Sequence, residues 1–190
     1  MNAQGKGLEQ HEILKVQLMR GEKEQDYLTH IWNLTSMMDH PIIAKEEDQD
    51  EACYRQFYEE AISLCRKKRF HEVLEKCRYT SLDDEEEYSI DVIQPEKIEF
   101  KQNSYEDGEN SIISFPEFLL LVLDVCTGGE QPASHYQPDK LIEKFNALKT
   151  HFTAGEFYEK MLYYRLLLDY YTIRRDIKDG QGNYSLILKG

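Results

Sequence analysis

The sequence lacks the residue patterns that would make a reactive site legible by inspection. Its four cysteines, Cys53, Cys65, Cys77 and Cys126, contain no Cys-x-x-Cys pair. The close ligand pairs of a zinc centre are therefore missing, and free, mostly buried thiols are expected. No apolar run is long enough to span a bilayer; the longest, Phe118 to Val125, is interrupted by Asp124. Met1 to Lys6 is polar and carries a glycine, unlike a signal peptide, so a cytoplasmic location is the expectation and no membrane contact is expected. Basic residues are scarce. Lys and Arg number 23 against 36 Asp and Glu, a formal net charge of -13. That excess repels phosphate, so direct nucleic-acid binding by this chain is not expected.

Catalytic signatures are equally thin. His11-Glu12 is not followed by the second histidine of a His-Glu-x-x-His zinc motif. Ser134-His135 has no Gly-x-Ser-x-Gly elbow around it. The glycine-bearing stretch Asp179 to Asn183 lacks the Lys-Ser/Thr pair of a phosphate loop, and a hairpin turn explains it. The acidic runs Glu46 to Glu51 and Asp83 to Glu87 lack the alternating ligand spacing of a calcium loop and read as solvated ends of helices and loops. No catalytic residue, metal or cofactor is expected from these patterns. Arg66-Lys67-Lys68-Arg69 is the one basic cluster; it is a candidate phosphate contact, with a solvated helix junction as the favoured reading amid so much acid.

What the chain does have is core material. Hydrophobic residues make up 41%, and the 13 tyrosines and 8 phenylalanines can fill a substantial interior. Tyrosine keeps a polar end, so part of that aromatic surface is expected half exposed or at an interface.

Periodicity predicts mostly helices. Leu8 to Arg20 is a first helix, ended by Gly21. Glu24 to Met38 is a second, with Tyr27, Ile31, Leu34 and Met38 as its stripe, widened by Leu28 and Trp32, and Asp39-His40-Pro41 breaks it. A third begins near Asp50 with the stripe Tyr54, Phe57, Ala61 and Leu64. A fourth runs from Phe70 to Cys77, and pattern alone leaves open whether the two are continuous. Tyr88 to Ile93 and Lys97 to Lys101 alternate as short strands would, and Asn103 to Asn110 reads as a polar loop. Ser114 and Glu117 have capping-box spacing before a nearly all-apolar helix, Phe115 to Cys126, ended by Gly128-Gly129. Asp139 to Thr150 is amphipathic, with Leu141, Phe145 and Leu148 inward. Thr153 and Glu156 repeat the cap spacing before a long helix striped by Phe157, Met161, Tyr164, Leu168 and Tyr171. Arg165 and Asp169, four apart on it, are spaced for an ion pair. Tyr171 to Ile177 and Tyr184 to Leu188 close the chain as a hairpin.

The expected fold class is mainly α: an irregular multi-helix bundle with a small β-hairpin or short strands. Three parts are expected: an N-terminal helical part over 1–79, an acidic linker over 80–111 with room for short strands, and a C-terminal helical part over 112–190.

Four segments carry a resemblance. Asn2, Gly5 and Leu8, followed by His11-Glu12-Ile13-Leu14-Lys15, form the first; Ile113 to Leu120 the second; Asp139 to Ile142 with Phe145 the third; and Arg165, Asp169 and Tyr171 within Leu162 to Arg174 the fourth. In this order they resemble landmarks of the GmrSD-type family, the type IV, modification-dependent restriction proteins. In that family a ParB/sulfiredoxin-like nucleotide domain precedes a helical region, and an HNH-type nuclease domain commonly follows. The resemblance implies a remnant of the nucleotide pocket at Asn2 and Gly5, and motif positions on helices at His11, Glu12, Arg165 and Asp169. Neither the nucleotide motif nor the nuclease motif is found in the sequence, so the expectation is a truncated member, inactive by itself.

The leading expectation for function is a non-catalytic helical module, or truncated relative, of a restriction-type phage-defence protein. It would position domains or associate with another protein chain or with itself. The alternative is an acidic inhibitor or immunity protein that covers the basic site of a nuclease or toxin by charge complementarity.

Overall fold

The structure is a computed structural model that describes residues 9–43, 50–77, 110–111, 113–129, 132, 135–171, 173–178 and 183–188. Four of the five residues of the expected turn Asp179 to Asn183, the two alternating stretches between Tyr88 and Lys101, most of the expected polar loop Asn103 to Asn110, most of the acidic run Glu46 to Glu51 and all of Asp83 to Glu87 lie outside them, as do Asn2 and Gly5. The described chain is mainly helical, as expected. Seven α-helices are described: α1 (Gln10–Met19), α2 (Gln25–Ser36), α3 (Glu51–Arg66), α4 (Phe70–Lys76), α5 (Phe115–Cys126), α6 (Leu141–Leu148) and α7 (Ala154–Tyr171). Short 3-10 turns at Pro138–Lys140 and Lys149–His151 flank α6. Strands β1 (Asn110–Ser111), β2 (Ile173–Lys178) and β3 (Asn183–Leu188) form one antiparallel sheet in the order β1-β2-β3. The β2–β3 pair is the expected hairpin, with Ile173 opposite Leu188 and Lys178 opposite Asn183.

Local chemistry sets the helix ends. At α5 the Ser114 hydroxyl accepts from the Glu117 amide at 3.4 Å, and the Glu117 carboxylate accepts from the Ser114 amide at 2.6 Å, a reciprocal capping box with Pro116 in the first turn. Thr153 and Glu156 make the same exchange ahead of α7. Gly128 and Gly129 take positive φ after α5, where a side chain would be strained. The third and fourth helices are separate. Lys68, at φ 58, turns the chain between them.

One core serves helices from both ends of the chain. α7 lies against α2, α3 and α5, while α1 packs on α2, α5 and α6. Phe118, Leu119, Leu120, Val122 and Leu123 of α5 are fully enclosed, as the apolar run predicts. Each such side chain contributes about 1.5–3 kcal/mol of burial free energy.

Two stripes differ in phase from their sequence reading. On α3 the buried face is Tyr58, Ala61, Ile62 and Cys65, while Phe57 is exposed at its edge. On α7 it is Phe157, Tyr158, Met161, Leu162, Arg165, Leu166 and Asp169; Tyr164 and Leu168 are half-buried and Tyr171 is exposed. The cause is the same in both cases: polar partners inside the core draw Tyr58, Arg165 and Asp169 inward.

Candidate functional site

The Arg165 and Asp169 side chains are 2% and 3% exposed. Two charges this deep are tolerated only when most of their hydrogen-bonding capacity is met, and here the Arg165 Nε alone of the guanidinium nitrogens has no partner among the described residues. They are joined to each other, and both also hold the chain segment that follows α2. Arg165 donates to the carbonyls of Met37, Met38 and His40. Asp169 accepts from the Ile42 amide at 2.8 Å and from the Tyr58 hydroxyl at 3.3 Å. The Tyr58 hydroxyl in turn accepts from the Ile43 amide, and the Tyr54 hydroxyl donates to the Ile43 carbonyl. Proline at 41 breaks α2 and leaves these backbone groups without helical partners; the α7 ion pair supplies them. Burial and the neighbouring Asp169 charge push the Tyr58 phenol well above its usual value of 10.0.

The braced segment forms one wall of a cleft of about 700 Å³. Ser36, Met37, Met38, Asp39 and His40 line that side. Across it lie Ser111 of β1, then Ile113, Ser114, Phe115 and Glu117 at the start of α5. Asp39 ties the walls together, accepting from the Ser111 amide at 2.9 Å. Phe115 is buried beneath the cleft, with the edges of His11 and Trp32 set against its ring at centroid distances of 5.7 and 5.2 Å.

The positions singled out in the sequence take up architectural places. His11 packs on Phe115, and Glu12 accepts from the Glu9 amide at 2.7 Å to cap α1. The Gln10 side chain donates to the Asp139 carbonyl and accepts from the Ile142 amide, fastening α1 to the start of α6. The first, second and third resemblance segments thus touch one another, and the fourth supplies the ion pair behind the cleft. Arg66, Lys67, Lys68 and Arg69 lie exposed at the α3–α4 junction. Arg66 donates to the Tyr163 hydroxyl and Arg69 pairs with Glu72, so half of this basic cluster is engaged within the chain. His135 is fully buried, with Nε2 at 3.1 Å from the Leu120 carbonyl, far from the exposure a nucleophile's base requires.

Cys65 and Cys77 are buried, Cys126 is half-buried and Cys53 is exposed, and no disulfide joins any two of them. Burial pushes the Cys65 and Cys126 thiols up to about 12. Among the described residues no group of three or more His, Cys, Asp or Glu is placed to hold a metal ion. Among the described residues no helix is long and apolar enough to cross a membrane.

Sequence reasoning missed Asp39, His40 and Ser111. Asp39-His40-Pro41 was legible only as a helix break. A polar pair between a buried methionine and a proline is the signal that could have drawn attention to a wall of this kind. Comparison with known proteins gives no match to a family model, a curated protein or a solved structure.

Proposed function

We propose that the chain is a non-catalytic helical module of a restriction-type phage-defence protein, serving to position domains or to associate with another protein chain. One observation carries the module reading: the residues that stand out in the sequence are occupied in packing. His11 rests on Phe115, Glu12 caps α1, and Arg165 and Asp169 brace the segment after α2. Groups held this way build a surface. A residue that transfers protons or binds phosphate needs access to its substrate. The association with defence rests on the order of the four segments that resemble the GmrSD-type family. A cytoplasmic location accords with that reading.

The test is co-expression with chains that carry the nucleotide and nuclease domains of a GmrSD-type system, followed by size-exclusion chromatography. A complex containing this chain is expected. Failure to associate with either domain, together with a monomeric chain at high concentration, would overturn the proposal.

A second reading is favoured by the net charge of -13 and by the carboxylates that line the cleft. In it the chain is an acidic inhibitor that covers a basic site on a nuclease or toxin. Inhibition of such an enzyme that weakens steeply with salt would favour this reading over the first.

A further inference from the structure

The cleft between the α2 wall and the start of α5 has a definite chemical character. Among the described residues its polar lining is two carboxylates, Asp39 and Glu117, with serine hydroxyls and His40, and no lysine or arginine. Its apolar lining comes from Met37, Met38, Ile113 and Phe115. Each carboxylate is held by one oxygen: Asp39 Oδ1 accepts from the Ser111 amide and Glu117 Oε2 from the Ser114 amide. The other oxygen of each accepts no hydrogen bond from the described residues. The wall that carries Asp39 is itself fixed by Arg165, whose guanidinium grips the carbonyls of Met37, Met38 and His40.

We propose that this cleft is a docking site for a basic segment of a partner protein, taking an arginine or lysine side chain between Asp39 and Glu117 and an adjoining apolar side chain against Met37, Met38 and Phe115. This inference rests on the association reading above and gives the partner's chemistry. Charge complementarity selects the occupant. A cationic head satisfies the outward carboxylate oxygens, and its aliphatic stem or an apolar neighbour covers the methionine and phenylalanine surface. An acidic segment meets two fixed negative charges and is rejected. Both acceptors are held in place by backbone amides and a braced wall before the partner arrives, so little ordering is lost on binding.

The experiment uses the isotope-labelled full chain and two tripeptide probes, acetyl-Leu-Arg-Phe-amide and its acetyl-Leu-Glu-Phe-amide counterpart. The arginine probe should shift the amide signals of Asp39, Ser111 and Glu117, and the glutamate probe should not. Asp39→Asn with Glu117→Gln removes both charges while keeping the acceptor atoms that hold Ser111 and Ser114. This variant should bind the arginine probe roughly fivefold more weakly or worse. Its thermal midpoint reports whether the fold is intact. As an independent check on the unmodified chain, raising salt from about 50 to about 300 mM should weaken the arginine probe.

Equal shifts with the glutamate probe, shifts confined to other surfaces, or salt-insensitive binding would overturn the assignment. A partner complex that forms equally well with the Asp39→Asn, Glu117→Gln variant would place association on another face, ending the cleft assignment and leaving the module reading intact. Probe binding at the cleft without any partner complex would do the reverse.

Discussion

Arg165 and Asp169, one turn apart on α7, form a buried ion pair that also bonds to the segment after α2 and to the Tyr58 hydroxyl of α3. Three elements are thereby fastened at one point, and the cleft wall depends on it.

Removing one member of this pair should be severe. Arg165→Met leaves Asp169 charged in the core and takes a donor from the carbonyls of Met37, Met38 and His40, and should cost about 3–5 kcal/mol in urea unfolding. The double variant Arg165→Met with Asp169→Asn removes both charges and keeps an acceptor for Ile42. Its cost should fall below the sum of the single changes, because the orphaned charge is gone.

The caps provide a milder test. Ser114→Ala removes the hydroxyl that accepts from Glu117 and should cost about 1 kcal/mol by the same measurement, as should Thr153→Ala ahead of α7. Gln10→Ala breaks both ties between α1 and the start of α6. It should raise amide hydrogen exchange in α1 well before it changes exchange in α7.

The helix α5 was fully legible: the Ser114–Glu117 spacing, the apolar run and Gly128-Gly129 mark its two ends. The faces of α3 and α7 were not. A stripe drawn through apolar residues alone turns Phe57, Tyr164 and Tyr171 inward. The real faces include a tyrosine, an arginine and an aspartate. The partners that make this tolerable are remote in sequence, with Arg165 meeting the carbonyl of His40 125 positions away and Asp169 meeting the hydroxyl of Tyr58 111 away. The cleft was hidden for the same reason, since Asp39 and Ser111 are 72 residues apart. The ion-pair spacing on α7 was legible; its burial and its hold on the cleft wall were not.

Alkaline conditions should unfold the chain early. Cys65 and Cys126 keep their protons in the fold up to about 12 but lose them near 9.0 once unfolded, and buried Tyr58 is likewise raised above 10.0. Above pH 9 the unfolded state therefore binds fewer protons than the native state, and the free energy of unfolding falls as pH rises. The stability these groups contribute is fully present below pH 9 and declines between 9 and about 12. Urea midpoints across that range should fall, and Cys65→Ala should flatten the fall even if it lowers the starting value.

The central proposal is that this chain supplies architecture and a docking surface to a partner and performs no reaction by itself. The most direct measurement incubates the purified chain with nucleoside triphosphate and modified phage DNA, and follows phosphate release and strand cleavage together. The account predicts both at the level of a protein-free blank. Turnover that co-purifies with the chain through a final sizing step, and is lost on a substitution that leaves the fold intact, would contradict it.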